Sequence, residues 1–214
     1  MQRVTFGLGL ILSALGLTAC GDGTATARYI IDPPASAQFA GDRLGPTELK
    51  EVSLPDYAAA DTIAWQDADG AVRASNRILW ADQPERAFTL TLARAISEIT
   101  GAAVIAEPWP LSSPPQTRLD VRVEQALAGS DGYFRLKGRY FVSAEGSGAG
   151  SHHVRSFDIA VPLGGDSPAA IAQAASLGIT TLAEQIATLG GPGNTIVATM
   201  RGGGDPFANL PPLF

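Results

Sequence analysis

Few side chains in this 214-residue sequence could perform chemistry: it contains one cysteine, Cys20, and two histidines, His152 and His153. The histidines lie on a segment that the pattern predicts to be a strand, where adjacent side chains point to opposite faces and are badly placed to share a metal ion. Asp56 and Asp61 lie near one loop, and a solvated loop explains them as well as acid–base catalysis does. The sequence therefore predicts no enzyme, no metal site and no cofactor.

The chemistry open to Cys20 is acylation, because the residues before it are typical of a secretion signal. Arg3 is followed by an apolar run over residues 4–17, about 14 residues, which is shorter than the roughly 20 that a membrane-spanning helix needs. A short membrane anchor and an ordinary signal with an incidental cysteine are the alternatives. Leu17-Thr18-Ala19-Cys20 resembles a bacterial lipobox. This resemblance implies that Cys20 carries fatty acyl chains of the palmitate kind and becomes the first residue of the mature chain.

Composition divides the chain into four parts. Residues 1–19 form the predicted signal peptide, residues 20–27 the lipidated cysteine with a short polar tether, and residues 28–189 one domain. Residues 190–214 form a tail with six glycines and four prolines, where only a short strand at 195–199 is expected. The tail ends in apolar residues, so it is either a disordered segment or a peptide that docks on a partner or a neighbouring subunit.

The net charge and the residue after the cysteine bear on partners and location. The formal charge is −6, with 15 basic and 21 acidic residues, which argues against nucleic-acid binding because such proteins carry a basic patch. Gly21 stands where lipoproteins retained in the inner membrane typically carry aspartate. By resemblance to those sorting rules, Gly21 favours the outer membrane, with the domain facing the periplasm.

Two amphipathic helices are predicted. Pro84 suits the first turn of a helix, apolar residues recur behind it at helical spacing, and Gly101 is a suitable end. Ser167-Pro168 opens the second helix with a good N-cap, and its apolar stripe runs as far as Leu189, before Gly190-Gly191-Pro192.

Alternation of apolar and polar residues predicts an antiparallel meander in the second half of the chain, over residues 117–127, 133–142 and 153–161. The shorter strands expected in the first half are 29–31, 49–54 and the two arms of an Asp-Gly hairpin, 62–66 and 71–75. Together these elements predict a two-layer α+β domain: a mainly antiparallel sheet with two amphipathic helices packed on it.

The turn between the first two long strands fixes the predicted register. With Asp131-Gly132 at its centre, Glu124 lies opposite Arg139. A turn centred one residue earlier would place Arg122 opposite Arg139, and like charges directly opposite are unfavourable. The first register is therefore predicted, and the third strand is placed with Asp158 opposite Arg139.

The strand over residues 133–142 carries a basic and aromatic face, which is the best surface candidate for binding. Its members are Tyr133, Arg135, Lys137, Arg139 and Phe141. Two interpretations are open: a neighbouring element or cross-strand acids cover this face, or it binds a protein partner, since aromatic residues and arginine are enriched at interface cores.

Several segments resemble the PqiC/YmbA family of ABC-type transport auxiliary lipoproteins. They are Tyr29-Ile30-Ile31-Asp32-Pro33, Val52-Ser53-Leu54-Pro55-Asp56-Tyr57, Leu79-Trp80-Ala81-Asp82-Gln83-Pro84 and Pro108-Trp109. Their order and spacing, with the lipobox, cover roughly residues 17–189.

The resemblance implies a non-enzymatic component of a lipid-trafficking system. Such lipoproteins partner with a periplasmic MCE-domain protein, a permease and an ATPase, are anchored in the outer membrane and can form homo-oligomers. An envelope hydrolase, and a lipoprotein that binds a ligand or assists envelope assembly, are the alternative functions. The hydrolase and ligand-binding alternatives predict a deep pocket with convergent polar groups.

Overall fold

The alternating stretches of the second half form the centre of one open sheet. A computed structural model describes residues 26–145 and 150–198. The strands are β1 (Ala27–Tyr29), β2 (Thr47–Leu49), β3 (Thr62–Gln66), β4 (Val72–Trp80), β5 (Val104–Ala106), β6 (Thr117–Ala128), β7 (Tyr133–Ala144), β8 (Gly150–Pro162) and β9 (Gly193–Ala198). The helices are α1 (Asp56–Ala59), α2 (Pro84–Thr100) and α3 (Pro168–Ala187). The strand order is β1-β4-β3-β6-β7-β8-β9, with β2 joined to β6 and β5 to β2.

The predicted α+β class is confirmed, and the sheet is mixed. The hairpin of β3 and β4 and the meander of β6, β7, β8 and β9 are antiparallel. Pairings in the first half of the chain join strands distant in sequence, and β1 with β4, β2 with β5 and β6, and β3 with β6 are all parallel. The single-turn helix α1 and the strand β5 were not predicted.

Both long helices begin, and α2 also ends, where their capping residues predict, whereas α3 ends at Ala187, two residues before the predicted Leu189. α2 has Pro84 in its first turn and ends at Gly101, whose positive φ of 75° suits a glycine C-cap. α3 begins after Ser167, whose hydroxyl accepts a hydrogen bond from the N–H of Ala170 at 3.2 Å. Local signals therefore set both helices.

One apolar core lies between the helices and the inner face of the sheet. Its largest fully buried side chains are Tyr140, Leu49, Ile63, Leu92, Ile96, Ile99, Leu119, Leu136, Ile179, Leu182, Ile186 and Val52. The hydroxyl of Tyr140 donates to the carbonyl oxygen of Gly190 at 2.5 Å. Burial raises the pKa of Tyr140 to about 12, so this donor stays protonated at neutral pH.

β6 is paired along both edges, which joins the two halves of the sheet. One edge pairs with β7, and the other pairs with β2 near Thr117 and with β3 at Ala128. Between β2 and β3 the connecting chain follows the same edge: Ser53 exchanges backbone hydrogen bonds with β6, and the Tyr57 hydroxyl accepts from the N–H of Ala126 at 3.2 Å. These contacts give the backbone groups of this buried edge the partners that they need.

The register predicted for the β6–β7 hairpin is wrong. Arg122 lies directly opposite Arg139, and the register shifts at Glu124. Beside the turn Ala128 lies opposite Phe134, and the loop has three residues, Ser130-Asp131-Gly132, in which the N–H of Gly132 donates to the carbonyl of Gly129. The bulge at Glu124 adds the rest of the shift. The like-charge rule fails here because Arg122 is paired with Asp120 on its own strand, with N–O distances of 2.9 and 3.1 Å, so it is already neutralised.

Gly138 gives a second reason for this register. A Cβ atom on Gly138 would overlap the carbonyl oxygen of Arg122 and would lie 2.8 Å from the ring of Phe157. Only glycine allows the backbones of β6 and β7 to approach so closely beside the bulge.

The register predicted for the third long strand is also wrong, by two residues. Arg139 lies opposite Ser156, and Asp158 lies opposite Lys137. The loop between β7 and β8 is long, so its sequence carries little information about the register. The shift keeps the same faces in and out because side chains alternate with a period of two.

Arg155 joins β8 to the end of α3 and to β9. Its Nε donates to the carbonyl of Leu189 at 3.1 Å, and its Nη1 donates to the carbonyl of Asn194 at 2.6 Å. Its Nη2 donates to the hydroxyl of Thr195 at 2.8 Å. A cation suits the carbonyl-rich end of a helix.

The strand predicted near the start of the tail is present as β9, which covers four of the five predicted residues. Residue 199 and the rest of the tail lie outside the described residues, as do the predicted signal peptide, Cys20 and most of the tether.

We expect Gly138→Ala to lower the free energy of unfolding by about 3 kcal/mol, because the new methyl group overlaps backbone that cannot move without breaking the hairpin. Equilibrium urea unfolding followed by tryptophan fluorescence measures this. Gly164→Ala is the matched control: its new methyl group would have no neighbouring atom within 4 Å, so a change of no more than about 1 kcal/mol is expected. Equal effects of the two substitutions would refute the role of Gly138.

We expect Arg155→Met to speed hydrogen exchange in β9 while β6 and β7 keep their protection, because carbonyls at the end of α3 and in β9 lose their donor. The local loss is about 1–3 kcal/mol. Hydrogen exchange read by NMR measures it, with Arg77→Met, an exposed arginine of β4, as the control. Unchanged exchange in β9 would show that Arg155 does not hold this strand.

Candidate functional site

The five residues predicted to share a face do so on β7. Tyr133, Arg135, Lys137, Arg139 and Phe141 alternate with buried residues and project from the side of the sheet opposite the helices, called here the outer face. In the described residues no helix or strand covers them. β7 lies between β6 and β8, so the backbone under this face is fixed by hydrogen bonds on both sides.

Each cation of the outer face has an acidic partner. Arg135 Nη1 lies 2.8 Å from Asp131, Lys137 Nζ lies 2.9 Å from Asp158, and Arg139 Nε lies 3.0 Å from Glu124. The interpretation in which cross-strand acids pair with this face is therefore confirmed for Lys137 and Arg139. Their side chains are still 38% and 56% exposed, so the pairs remain accessible.

Aromatic rings mark the two ends of the outer face. The guanidinium of Arg135 lies 5.9 Å from the ring centroid of Tyr133, and that of Arg122 lies 5.0 Å from the ring of Phe141. Both distances fall within the range of cation–π contacts. Such contacts order the long arginine side chains and lower the entropy that a partner would have to remove.

Sequence reasoning missed the β6 members of this surface. Arg122 and Asp120 form an ion pair beside Phe141, and hydrogen bonding to Asp120 raises the pKa of the Arg122 guanidinium. The alternation of β6 predicts that both face outward, but their place beside Phe141 depends on the register. Glu124 was correctly predicted to meet Arg139, although the two are not directly opposite.

The residues considered for catalysis lie apart. His153 Nδ1 lies 3.1 Å from the Thr195 hydroxyl, and burial with nearby Arg155 lowers the pKa of this histidine. Asp56 lies in the first turn of α1, and the Asp61 carbonyl accepts the N–H of Trp80. Among the residues that the structure describes, no group of three histidine, cysteine or acidic side chains could hold a metal ion.

A cleft of about 480 Å³ at one end of the sheet was not predicted. It lies between the β3–β4 hairpin, the β6–β7 turn and the start of α3. Its wall is mostly apolar, and the acids at it are Asp67, which pairs with Arg73, and Asp166. The residues that line the cleft come from three segments far apart in the sequence, so no local sequence pattern predicts it. In size it suits a small ligand or side chains of a partner.

The Asp131–Arg135 pair gives a pH-dependent prediction. Hydrogen bonding from Arg135 lowers the pKa of Asp131 from its ordinary 3.8 to about 2. At a pH between about 2 and 3.8, the Asp131 carboxyl is ionised in the folded chain and protonated in the unfolded chain. The stability from this pair is therefore fully present above pH 4 and is lost as the pH falls through about 2.

A carboxyl NMR titration should give Asp131 a midpoint near 2, and Arg135→Gln should return the midpoint toward 3.8. Arg73→Gln, on the distant β3–β4 hairpin, is the control and should leave the midpoint unchanged. A midpoint near 3.8 in the unaltered protein would show that the pair does not form in solution.

One known protein family and two solved structures resemble this domain. The family model described as the ABC-type transport auxiliary lipoprotein component matches residues 29–187. One crystal structure of an uncharacterized protein is 19% identical and covers 74% of this chain and 97% of its own, with a TM-score of 0.57.

A second crystal structure, of protein XCC0632 from Xanthomonas campestris in the family DUF330, is 13% identical. It covers 76% of this chain and 93% of its own, with a TM-score of 0.58. At these identities the two structures establish the fold alone, and curated proteins give no match. No helix in the described ranges is long and apolar enough to cross a membrane. The family model spans most of the domain, and the chain therefore belongs to the family of ABC-type transport auxiliary lipoproteins.

Proposed function

We propose that this lipoprotein is anchored in the outer membrane through acylated Cys20, faces the periplasm and docks the MCE-domain protein of an intermembrane lipid transporter. The MCE protein is in turn associated with a permease and an ATPase. The proposed role is mechanical: the protein binds and positions a partner, and needs neither a catalytic step nor a cofactor. The family match and the accessible outer face of the sheet support it.

The anchor rests on the amino-terminal residues. Cys20 follows Leu17-Thr18-Ala19, the lipobox-like order, and Gly21 favours the outer membrane. Several acyl chains on one residue hold a protein firmly, since each buried CH₂ group contributes about 0.8 kcal/mol. Only six residues separate Cys20 from β1, so the domain stays within about 25 Å of its membrane.

The outer face is the observation that carries the docking proposal. Its central strand is rigid, its ion pairs are exposed, and Tyr133 is 41% exposed at one end. Tyrosine and arginine dominate the energetics of protein interfaces. Exposed pairs contribute little to folding, so their acids and cations are free to be shared with a partner that presents the complementary charges. Contacts of the same kind between copies would produce the homo-oligomer implied for the family.

The apolar cleft favours a second candidate function, a lipoprotein that binds a ligand. Trp65, Ile78 and Leu163 line it, and they suit an apolar group rather than the transition state of a hydrolase. Native mass spectrometry of the protein purified from its membrane tests this candidate. A bound small molecule that is lost on Ile78→Trp would support it.

The docking proposal predicts that exchanging one ion pair of the outer face weakens partner capture without unfolding the domain. In the double variant Glu124→Arg with Arg139→Glu the pair is kept with reversed polarity, and the new carboxylate lies opposite Arg122. We expect at least about tenfold weaker binding, equivalent to about 1.4 kcal/mol. Copurification of the MCE-domain protein in mild detergent, with Cys20 intact, measures the effect.

The control exchanges an ion pair far from the outer face, through Asp82→Arg with Arg86→Glu at the start of α2. Both double variants leave the net charge unchanged, and circular dichroism with thermal unfolding verifies that both are folded. Equal capture by the two would exclude the outer face as the docking surface. Failure of the unaltered protein to capture an MCE-domain protein, permease or ATPase would refute the proposed function itself.

A further inference from the structure

On the side of the domain formed by the helices, the exposed charged residues of the two long helices, Arg86, Arg94 and Glu98, lie on α2, whereas α3 and residues 29–40 expose apolar side chains. Ile30 is 70% exposed, Phe39 is 75% exposed and Leu177 is 39% exposed. Exposed apolar residues gathered on one side of a domain indicate a surface that meets something other than water.

Ile30 and Phe39 are held in place by a segment that crosses the helices, residues 29–40, called here the crossing segment. The N–H of Asp32 donates to the hydroxyl of Ser176 in α3 at 3.0 Å. The Asp32 carboxylate pairs with Arg94 of α2 at 2.9 Å. Because the segment is tied to both helices, the exposure of its apolar side chains belongs to the fold.

Further bonds fix the rest of the crossing segment. The Thr180 hydroxyl of α3 donates to the carbonyl of Pro34 at 3.0 Å. The N–H of Ala40 donates to the carbonyl of Ile99 at 3.0 Å, at the end of α2. The crossing segment therefore follows both helices to the end of α2, where the Phe39 ring lies over Gly101.

The outward row of α3 continues this apolar surface. Ala169, Gln173 and Leu177 recur at every fourth position, all three are exposed, and none is charged. In its 20 residues α3 contains a single charged side chain, Glu184, whose carboxylate accepts from the Ser36 hydroxyl at 2.6 Å. An exposed helix face in water normally carries charged residues.

Ile30 stands between two shallow grooves. The groove toward α3 has a volume of about 390 Å³, and Gln173 and Leu177 line it. The groove toward α2 has a volume of about 130 Å³, and Ala87 and Thr91 line it. The carboxylate of Asp32 beside the first groove is neutralised by Arg94.

The position of the anchor identifies what meets this surface. β1 begins at Ala27, only six residues after Cys20, and Ile30 follows β1 directly. A chain of this length spans at most about 25 Å from the acylated cysteine to β1. When Cys20 is acylated, the apolar part of the helix side nearest the anchor therefore stays within about 25 Å of the bilayer.

We propose that Ile30 and the outward row of α3 rest on the bilayer that holds the acyl chains of Cys20, with the Ile30 side chain among the lipid headgroups. This inference rests on the acylation of Cys20 in the proposed function. Arg28 is exposed two residues before Ile30 and suits anionic headgroups. The outer face lies on the opposite side of the sheet and then points away from the membrane, toward the periplasmic partner.

The test uses the whole acylated protein in vesicles of phosphatidylethanolamine and phosphatidylglycerol. Acylation blocks the thiol of Cys20, the only cysteine in the sequence, so a second cysteine can be labelled alone with the fluorophore NBD. Ile30→Cys carries the probe, and Ile196→Cys is the matched control because it is an isoleucine of similar exposure, 57%, on the distant edge strand β9. Lipids with spin-labelled headgroups quench NBD at short range.

We expect quenching of NBD at position 30 to exceed that at position 196 by roughly twofold or more, with a blue-shifted emission, because interfacial side chains enter the headgroup region. Equal quenching at both positions in protein that floats with the vesicles overturns the proposal. A blue shift at position 30 without lipid quenching also overturns it, in favour of a protein occupant. If the unaltered protein does not float, or floats no better than Cys20→Ser, the anchor of the proposed function has failed instead.

Discussion

The pairing of β6 along both of its edges is the constraint on which the domain depends, because a strand buried between neighbours must find a partner for each N–H and carbonyl. β7 follows β6 through a tight turn and forms the backbone hydrogen bonds of one edge. The other edge needs three separate pieces of the first half: β2, the stretch around Ser53, and β3. At Ala126, which no strand pairs with on this edge, the Tyr57 hydroxyl accepts the hydrogen bond of the backbone N–H. The first half is thus held in place by the second half, and the helices then close the core over both.

This architecture leaves two sides with different chemistry. The outer face has charged side chains in ion pairs, and two of these pairs, Lys137 with Asp158 and Arg139 with Glu124, join neighbouring strands. The helix side has an uncharged row on α3 and the exposed Ile30. A chain tethered at its amino terminus beside β1 has no freedom to present both sides to the same neighbour. In the proposed arrangement, the acylated Cys20 determines which side meets lipid and which side meets protein, because only six residues separate it from β1.

The sequence predicts well what local interactions determine. Pro84 and Gly101 bound α2, Ser167 opens α3, and alternation places β7, β8 and β6 as far as Val123 with the correct side inward. Beyond the bulge at Glu124 the alternation of β6 is reversed, so Leu127 lies opposite Arg135 and not opposite Leu136 as predicted. The registers were wrong because they depend on Gly138 and on the neutralisation of Arg122 by Asp120, which appear only once the strands are side by side. The parallel pairings, the crossing segment and the apolar cleft join residues far apart in sequence, so periodicity carries no information about them. The five residues of the outer face were found, whereas their partners on β6 needed the structure.

The segments that carry the family resemblance serve the fold. Val52 is fully buried beside β6, and the Tyr57 hydroxyl accepts a hydrogen bond from the backbone N–H of Ala126 in β6. Trp80 is 9% exposed, and its backbone N–H donates to the backbone carbonyl of Asp61. The fold needs such residues whichever partner the domain binds. The resemblance by itself therefore identifies the architecture and not the partner. In the proposed function, specificity for a protein partner resides in exposed side chains outside these segments, on the outer face of β6, β7 and β8, whereas the exposed Ile30 inside them meets lipid. Because the cations of the outer face are already paired, a partner gains little from bare attraction. In the proposed function, the partner offers its own carboxylates and basic groups in the matching order, and that requirement would make the face selective.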